Sequence, residues 1–347
     1  MIALIQQFIR ISSTSGNERA IADFVFQKTR QIGAKRLGNN IIWQGDSRPQ
    51  RPTIALGGHL DTVPFTADKW SITHPLQPLI KGDRLYGRGA CDMKSGSGIL
   101  LDMLLQQDFG ERYNLRFFWY EKEELGVPNG VTTLIKEGFF EGVDLCIIPE
   151  PTEGLVVNGV FGNLDARVTA SGKSIHSAYP LLGDNAIYRL IPVLEKIRDY
   201  PCTEVEGVQE ALSANTIRGG KAINVVPDHV ELELDYRFHP EKSEGEVLDL
   251  LQSLEDDHIT TEVIGLFPGV FHPVEKHPLI QRLAKLAGGN KVVPFWSDIG
   301  QLGAHGITAI NFGPGSIRQA HTIDEFVELE QIQTVREVLH QFLNEAI

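Results

Sequence analysis

The chain has 347 residues, of which 42% are hydrophobic and 22% charged, and its formal net charge is −13. This length and composition are those of a globular protein with one large or two ordinary domains. The negative charge argues against nucleic acid or an anionic membrane surface as a partner. An anionic substrate would therefore have to be captured by local arginines or by metal ions.

The cysteine content and the first residues bear on the compartment. Cys91, Cys146 and Cys202 are widely separated and form no C-x-x-C pair, so neither a disulfide framework nor a thiolate zinc site is supported. The first ten residues have the spacing of an amphipathic helix and lack the basic start and cleavage site of a signal peptide. No apolar run is long enough to cross a membrane. These features predict a cytoplasmic protein.

The first 160 residues alternate short apolar runs with stretches of helical periodicity. This alternation is typical of an α/β domain with a mostly parallel sheet and helices on both faces, in which sites form at the carboxyl ends of the strands. The predicted elements are two helices within 1–35, strands at 36–43, 53–57, 114–120 and 143–148, and helices at 95–107 and 131–137.

From about residue 162 the pattern changes to half-exposed, alternating strands. The order strand-helix-strand-strand-helix-strand suits a small ferredoxin-like α+β domain inserted into the first. A helix at 279–286, a strand at 307–312 and a closing helix at 329–347 return to the first domain. The predicted domains are therefore 1–160 with 268–347 for the α/β domain, and 161–267 for the insertion.

Ligand-type side chains follow three of the predicted strands, and others lie in two glycine-rich loops. Taken singly, each has an ordinary explanation, such as a loop histidine or a solvated acidic turn. Together they are an inventory for two divalent ions that share the loop carboxylate Asp92, which follows Gly87 and Gly89. The other residues of this set are His59, Glu123, Glu124, Glu150 and His321, and Asp61 is placed to orient His59.

The chemistry of this set points to hydrolysis. Nitrogen and oxygen ligands without thiolates favour zinc, with cobalt or manganese as alternatives. Two such ions close together polarise a carbonyl and generate hydroxide near neutral pH. No G-x-S-x-G elbow, P-loop or G-x-G-x-x-G fingerprint competes with this interpretation.

Five segments resemble the dizinc aminoacylase and carboxypeptidase family, in the same order and over nearly the whole chain. They are 58–64, 86–94, 123–124, 150–152 and 320–325. The resemblance implies that one zinc is held by His59, Asp92 and Glu150, and the other by Asp92, Glu124 and His321. It also implies that Glu123 is the general base, that Asp61 orients His59, and that the peptide bond after Asp92 is cis. Pro149 departs from the family, which usually has glycine there.

The insertion resembles the family's lid and dimerisation domain, which implies a homodimer formed through 161–267. Segment 172–177 resembles the one whose histidine, here His176, enters the active site of the partner subunit. Asn224 and Arg237 resemble binders of the substrate carboxylate. Three further substrate contacts are expected in the loop before His321: Gly313 and Gly315, which suit a close backbone approach, and Arg318, which with Arg237 suits a dicarboxylic acyl group.

The family resemblance implies an amide hydrolase acting on a small N-acyl amino acid. Segments 182–187, 211–214 and 296–298 resemble the short desuccinylases, whereas 63–65 with Trp70, and 313–317 with 319–321, resemble acetylornithine deacetylases. Because more of the insertion agrees with the former, the expected substrate is N-succinyl-LL-2,6-diaminopimelate, an intermediate of lysine biosynthesis. The alternatives are acetylornithine deacetylase, or a dipeptidase or carboxypeptidase. A non-catalytic binding relative is disfavoured, because neither the base nor any ligand is missing.

Overall fold

The structure is a computed structural model and describes residues 1–345. The described chain divides into two compact units. The first comprises 1–158, 272–291 and the residues from His305 onwards, and the second comprises 159–271 and 292–304. Within 1–345, no helix has both the length and the apolar character needed to span a bilayer.

Helices and strands alternate along the first unit, and strands predominate in the second. The α-helices are α1 (Ile2–Arg10), α2 (Arg19–Thr29), α3 (Lys94–Gln106), α4 (Gly130–Lys136), α5 (Ala186–Arg198), α6 (Glu244–Leu254), α7 (Pro278–Ala287), α8 (Asp298–Ala304) and α9 (Leu329–Asn344). The strands are β1 (Lys35–Leu37), β2 (Asn40–Gln44), β3 (Thr53–His59), β4 (Leu79–Lys81), β5 (Arg84–Tyr86), β6 (Asn114–Tyr120), β7 (Leu145–Ile148), β8 (Val156–Val160), β9 (Gly162–Ser171), β10 (Ile175–His176), β11 (Glu204–Val205), β12 (Val208–Gln209), β13 (Ala211–Gly219), β14 (Val225–Val226), β15 (His229–Phe238), β16 (Ile259–Phe267), β17 (Val270–Phe271), β18 (Asn290–Val293), β19 (Ala309–Asn311) and β20 (Phe326–Glu328).

The large sheet of the first unit has four parallel strands at its centre. β6, β3, β7 and β19 lie side by side in this order and all run in the same direction. β2 and β8 flank them in the antiparallel sense. The predicted mostly parallel sheet is therefore confirmed at the centre, and antiparallel strands border it. The central strands bring their carboxyl ends to one edge of the sheet.

Both faces of this sheet are covered, as the prediction required. Alternate strand residues such as Leu56 and Phe117 join α1, α2, α3, α7 and α9 in one apolar core. On the opposite face, the ring of Phe118 contacts those of Phe139 and Phe140, which follow α4, with ring centroids 5.6 and 5.2 Å apart. Burial on both faces explains why these strands read as continuous apolar runs.

The second unit contains a four-stranded antiparallel sheet with the order β13-β15-β9-β16. Along the chain its elements run β9-α5-β13-β15-α6-β16, so the predicted ferredoxin-like arrangement is confirmed. Even-numbered residues of β15, such as Leu232 and Leu234, pack with α5 and α6 in a second core. Ser243 caps the start of α6 and forms a capping box with Glu246.

The structure differs from the predicted boundaries in one substantial respect. Val292–Ala304 belongs to the second unit, although the prediction assigned all of 268–347 to the α/β domain. The indole nitrogen of Trp296 donates a hydrogen bond to the carbonyl of Pro268 (2.9 Å), which ties this segment to the end of the insertion. The predicted closing helix 329–347 is α9, and Ala346 and Ile347 lie outside the described residues.

Candidate active site

His59 is the last residue of β3 and is fully buried. Its Nδ1 lies 3.1 Å from the backbone carbonyl oxygen of Asp61 and 3.5 Å from Oδ1 of the same residue. Its Nε2 lies 3.1 Å from Oδ1 of Asp92 and 3.9 Å from Oε1 of Glu150. Burial opposes a charged imidazole, but the hydrogen bonds to Asp61 and Asp92 raise the pKa of His59 well above its ordinary value. Nδ1 is thus held by Asp61, while Nε2 faces the carboxylates of Asp92 and Glu150.

Asp61 also fixes the turn that follows β6. Its two carboxylate oxygens accept hydrogen bonds from the backbone N–H groups of Glu123 and Glu124, each at 3.1 Å. The hydroxyl of Ser15 donates to the same carboxylate at 2.7 Å. Burial opposes ionisation, but the hydrogen bonds from His59 and Ser15 lower the pKa of Asp61. Asp61 therefore holds both His59 and the two glutamates, and the sequence prediction included only the first of these contacts.

Asp92 stands at the end of a sharp loop after β5. Gly87 and Gly89 have φ angles of 149° and 79°, so the predicted glycine turn is confirmed. The Asp92–Met93 peptide bond is cis, as the family resemblance implies. The loop wraps around the buried carboxylate of Glu325, to which the backbone N–H groups of Cys91 and Asp92 donate at 2.8 and 3.0 Å. Sequence reasoning assigned no role to Glu325.

His321 completes a second group around Asp92. Its Nε2 lies 3.0 Å from Oε2 of Glu124 and 3.3 Å from Oδ2 of Asp92, and its side chain is 51% exposed. The hydrogen bonds to these two carboxylates raise the pKa of His321 to about 10. Asp92 thus directs one oxygen at His59 and the other at His321, which is the geometry of a bridging carboxylate.

Glu150 follows β7 on a tightly packed segment. A Cβ atom at Gly313 would lie 2.2 Å from the carbonyl oxygen of Pro149 and 2.5 Å from that of Glu150. The N–H of Gly313 donates to Oγ1 of Thr152 (3.0 Å), and its carbonyl accepts from the N–H of Gly154 (3.0 Å). Gly313 therefore fixes the backbone around Glu150.

The neighbouring glycine is also engaged within the protein. The N–H of Gly315 donates to Oε1 of Gln331 (2.7 Å), and its carbonyl accepts from the N–H of Glu153 (2.7 Å). The backbone N–H and carbonyl groups of Gly313 and Gly315 are thus hydrogen-bonded within the protein. A substrate contact at either glycine stays a prediction. Arg318 is exposed in the next turn, which is also the environment of a solvated loop arginine.

The remaining predicted site residues lie in the second unit. Nδ1 of His176 accepts a hydrogen bond from the N–H of Ala178 (3.1 Å), so the neutral imidazole carries its proton on Nε2. The carbonyl of Asn224 accepts from the N–H of Ser177 (2.9 Å), which places Asn224 next to the His176 segment. Both residues are exposed.

Arg237 is already paired within its own strand. Its Nε and Nη2 donate to the two carboxylate oxygens of Asp235, at 3.0 and 2.8 Å. Both residues are on the face of β15 opposite the helices, because the buried positions of this strand are the even-numbered ones. The guanidinium is therefore oriented by an aspartate two residues earlier.

The donor set fits divalent cations. Within residues 1–345, ligand atoms lie within 4.8 Å of one another in three groups: His59 with Asp92 and Glu150, Asp92 with Glu124 and His321, and His59 with Glu123 and Glu124. The first two groups are the predicted ligand sets, and Asp92 belongs to both. Imidazole nitrogens and carboxylate oxygens without thiolate suit zinc, cobalt or manganese.

A parallel sheet with histidines and carboxylates at its strand ends defines a metallohydrolase of α/β architecture. The chain matches the model of Peptidase family M20/M25/M40 over residues 55–345 and belongs to this family, whose members are hydrolases. It is 32% identical to the succinyl-diaminopimelate desuccinylase of Corynebacterium glutamicum, over 99% of this chain and 96% of that one. It is 30% identical to the acetylornithine deacetylase of Myxococcus xanthus, over 87% and 82%.

Solved structures support the same fold. The aminopeptidase PepT of Bacillus cereus superposes with a TM-score of 0.81 at 18% sequence identity, and the match covers 99% of this chain and 96% of that one. The resemblance that the five sequence segments indicated is confirmed, and the protein is a hydrolase.

Proposed function

We propose that the protein is a dinuclear metal-dependent amidohydrolase that removes the succinyl group from N-succinyl-LL-2,6-diaminopimelate. The observation that carries the chemistry is the position of Asp92, whose oxygens lie 3.1 Å from His59 and 3.3 Å from His321. Similarity to a desuccinylase over nearly the whole chain supports the substrate. Zn²⁺ is the proposed metal, with Co²⁺ or Mn²⁺ as alternatives.

In the proposed centre, His59, Asp92 and Glu150 would hold one ion, and Asp92, Glu124 and His321 the other. When bound, two divalent ions supply Lewis-acid polarisation of the amide carbonyl and acidify water. Glu123 would accept the proton of the attacking water and deliver it to the leaving amine. Asp61 would keep the proton of His59 on Nδ1 and hold the backbone of Glu123, through the contacts described above.

Four further residues would supply substrate contacts. His176 has the tautomer with a proton on Nε2, which suits donation to the oxyanion of the hydrolysed amide. Arg237 and Arg318 would bind the carboxylates of the substrate, with Asn224 beside His176. Because Arg237 is paired with Asp235, a substrate carboxylate would compete with that side chain for the guanidinium. Cytoplasmic localisation and a place in lysine biosynthesis stay predictions.

The substrate assignment predicts a clear preference in a direct assay. For zinc-loaded protein, kcat/KM on N-succinyl-diaminopimelate is expected to exceed that on N-acetylornithine by roughly 100-fold, because only the succinyl compound has a carboxylate on its acyl group. Initial rates on both compounds and on a set of dipeptides provide the measurement, with chelator-treated protein, and the same protein after zinc is restored, as controls. Preference for the acetyl compound would instead identify an acetylornithine deacetylase, and preference for dipeptides a peptidase.

We also propose that two chains associate through the second unit. β13 is the end strand of its sheet, so its outer edge is available for pairing with another strand. Large apolar side chains are exposed on β13 and on α5. They include Ile217 of β13 and Ile187, Tyr188 and Ile191 of α5. Exposed apolar groups beside an open sheet edge are typical of a protein interface.

A complementation experiment tests both the dimer and the role of His176. His176→Ala and Glu123→Ala are each expected to be nearly inactive, whereas coexpression of the two is expected to restore about one quarter of the wild-type activity. Half of the dimers would then be mixed, and each mixed dimer would have one complete site if His176 acts across the interface. Activity of the purified mixture and its mass by light scattering are the measurements.

Two isoleucine variants control this experiment. Ile217→Asp on β13 should abolish complementation and halve the mass, because it places a charge at the proposed interface. Ile264→Asp on β16, the opposite end strand, should do neither, although its side chain is similarly exposed. A monomeric wild-type protein would contradict the proposed dimer. A dimer in which the two variants never complement each other would instead show that His176 acts in its own subunit or not at all.

A further inference from the structure

Glu325 is a buried acidic residue that belongs to neither proposed ligand set. Its side chain is 1% exposed, and each of its carboxylate oxygens accepts two hydrogen bonds. Oε2 accepts from Nη1 of Arg88 (2.8 Å) and from the N–H of Gly89 (3.1 Å). Oε1 accepts from the N–H groups of Cys91 (2.8 Å) and Asp92 (3.0 Å). One carboxylate therefore satisfies three backbone donors of the loop that ends at Asp92.

The strand pair β5–β20 explains how Glu325 reaches this loop. Phe326 and Val327 of β20 pair with Tyr86 and Leu85 of β5 in an antiparallel register. The next step of this ladder sets Glu325 opposite Gly87, whose N–H donates to the carbonyl of Glu325 (3.0 Å). The chain leaves β5 at that point, so the following N–H groups have no strand to pair with. They donate to the carboxylate of Glu325 instead.

The segment that carries Glu325 also carries His321. Its Asp324 side chain accepts hydrogen bonds from the N–H groups of Ser71 (2.9 Å) and Ile72 (3.0 Å), and also from the Ser71 hydroxyl. Residues 321–325 therefore supply one histidine of the proposed centre and, four residues later, the anchor of the loop that presents Asp92. The position of His321 relative to Asp92 therefore depends on residues 321–325.

We propose that Glu325 is the positioning residue that holds Asp92 between the two metal sites, so that each of its oxygens faces a different histidine. The inference rests on the dinuclear centre proposed above. Removal of the anchor should affect the group of Asp92, Glu124 and His321 more than the group of His59, Asp92 and Glu150. His321 is half exposed, and within residues 1–345 no carboxylate lies beside its Nδ1 as Asp61 lies beside Nδ1 of the buried His59.

Glu325→Gln tests the proposal through metal binding, independently of any substrate. The amide keeps the size of the side chain but turns one acceptor into a donor that faces N–H groups. We expect the metal-free variant to unfold near the wild-type temperature, to bind one Zn²⁺ with unchanged affinity and to bind the second about 10- to 100-fold more weakly. Competition with a fluorescent zinc indicator gives both affinities, and the visible spectrum of the Co²⁺-loaded protein reports the altered coordination.

Glu328→Gln is the matched control, because Glu328 pairs with Arg84 (2.9 Å) at the other end of the same strand pair. It should retain both affinities and the Co²⁺ spectrum. If Glu325→Gln does not fold, Glu325→Asp keeps the charge and shortens the reach, and should show a smaller loss confined to the second ion.

Several results would overturn the inference. Glu325 has no positioning role if its folded variant binds both ions as the wild type does. A purely structural role is indicated if both affinities fall equally, or if neither Gln nor Asp at this position gives a folded protein. A wild-type protein that binds fewer than two ions would instead refute the dinuclear centre itself, so the two failures are distinguishable.

Discussion

Glu123→Gln is expected to retain both metal ions and to lose turnover by a factor of about 10² to 10⁴, which is the usual contribution of a general base. The amide keeps the size of the side chain and the backbone N–H that Asp61 binds at 3.1 Å, so the local structure should persist. Only the capacity to accept and return a proton is removed. The loss should therefore appear in kcat with little change in KM. Steady-state kinetics on the preferred substrate, with metal content by mass spectrometry, are the measurements.

Glu121→Gln controls for the loss of a negative charge at the same strand end. Glu121 accepts a hydrogen bond from the side-chain amide of Asn39 (2.8 Å) and is absent from the three groups of possible metal ligands found within 1–345. Its variant should keep wild-type kinetics. If Glu123→Gln were as active as Glu121→Gln, another residue would have to act as the base.

Asp92→Ala is expected to be more severe, because Asp92 belongs to both ligand groups. Each group would be left with one histidine and one glutamate, fewer than the three protein ligands typical of a catalytic zinc site. We expect bound metal to fall from two ions to fewer than one per chain. Turnover should fall by at least roughly three orders of magnitude, even in excess Zn²⁺.

The matched control for this variant is Asp257→Ala, which removes an exposed aspartate of the second unit. It should bind two ions and turn over normally. Metal content and activity would be measured on the same preparations. Two firmly held ions in Asp92→Ala would show that Asp92 does not bridge the sites.

The sequence predicted the metal cluster because the signals for it are local. His59 ends one buried apolar strand, Glu124 and Glu150 come shortly after two others, and parallel strands bring their ends to one edge. Strand patterns therefore predict that these side chains lie close together, whereas the division of the residues into two ligand sets came from the family resemblance. Gly87 and Gly89 likewise predict a turn, because glycine readily adopts the positive φ angles that both residues have.

Long-range contacts were not predictable in this way. Glu325 and Asp92 are 233 positions apart, and nothing local distinguishes this buried carboxylate from a surface one. A signal did exist, because the N–H groups of the Asp92 loop had no predicted partner while an acidic residue preceded the apolar pair Phe326-Val327. β8 was missed because Asn158 and Gly159 interrupt its apolar run and have low strand propensity.

Because Glu325 and Asp92 are 233 positions apart, the anchor of the Asp92 loop is synthesised long after the loop itself. Synthesis from the N-terminus produces His59, Asp92 and Glu150 first, then the entire second unit, and His321 and Glu325 only afterwards. A nascent chain that stops before His321 carries the three residues of one ligand group but lacks the histidine of the other and the anchor of the Asp92 loop. The centre is therefore completed last, and premature termination after the second unit yields a protein whose two central ligand groups are unequal.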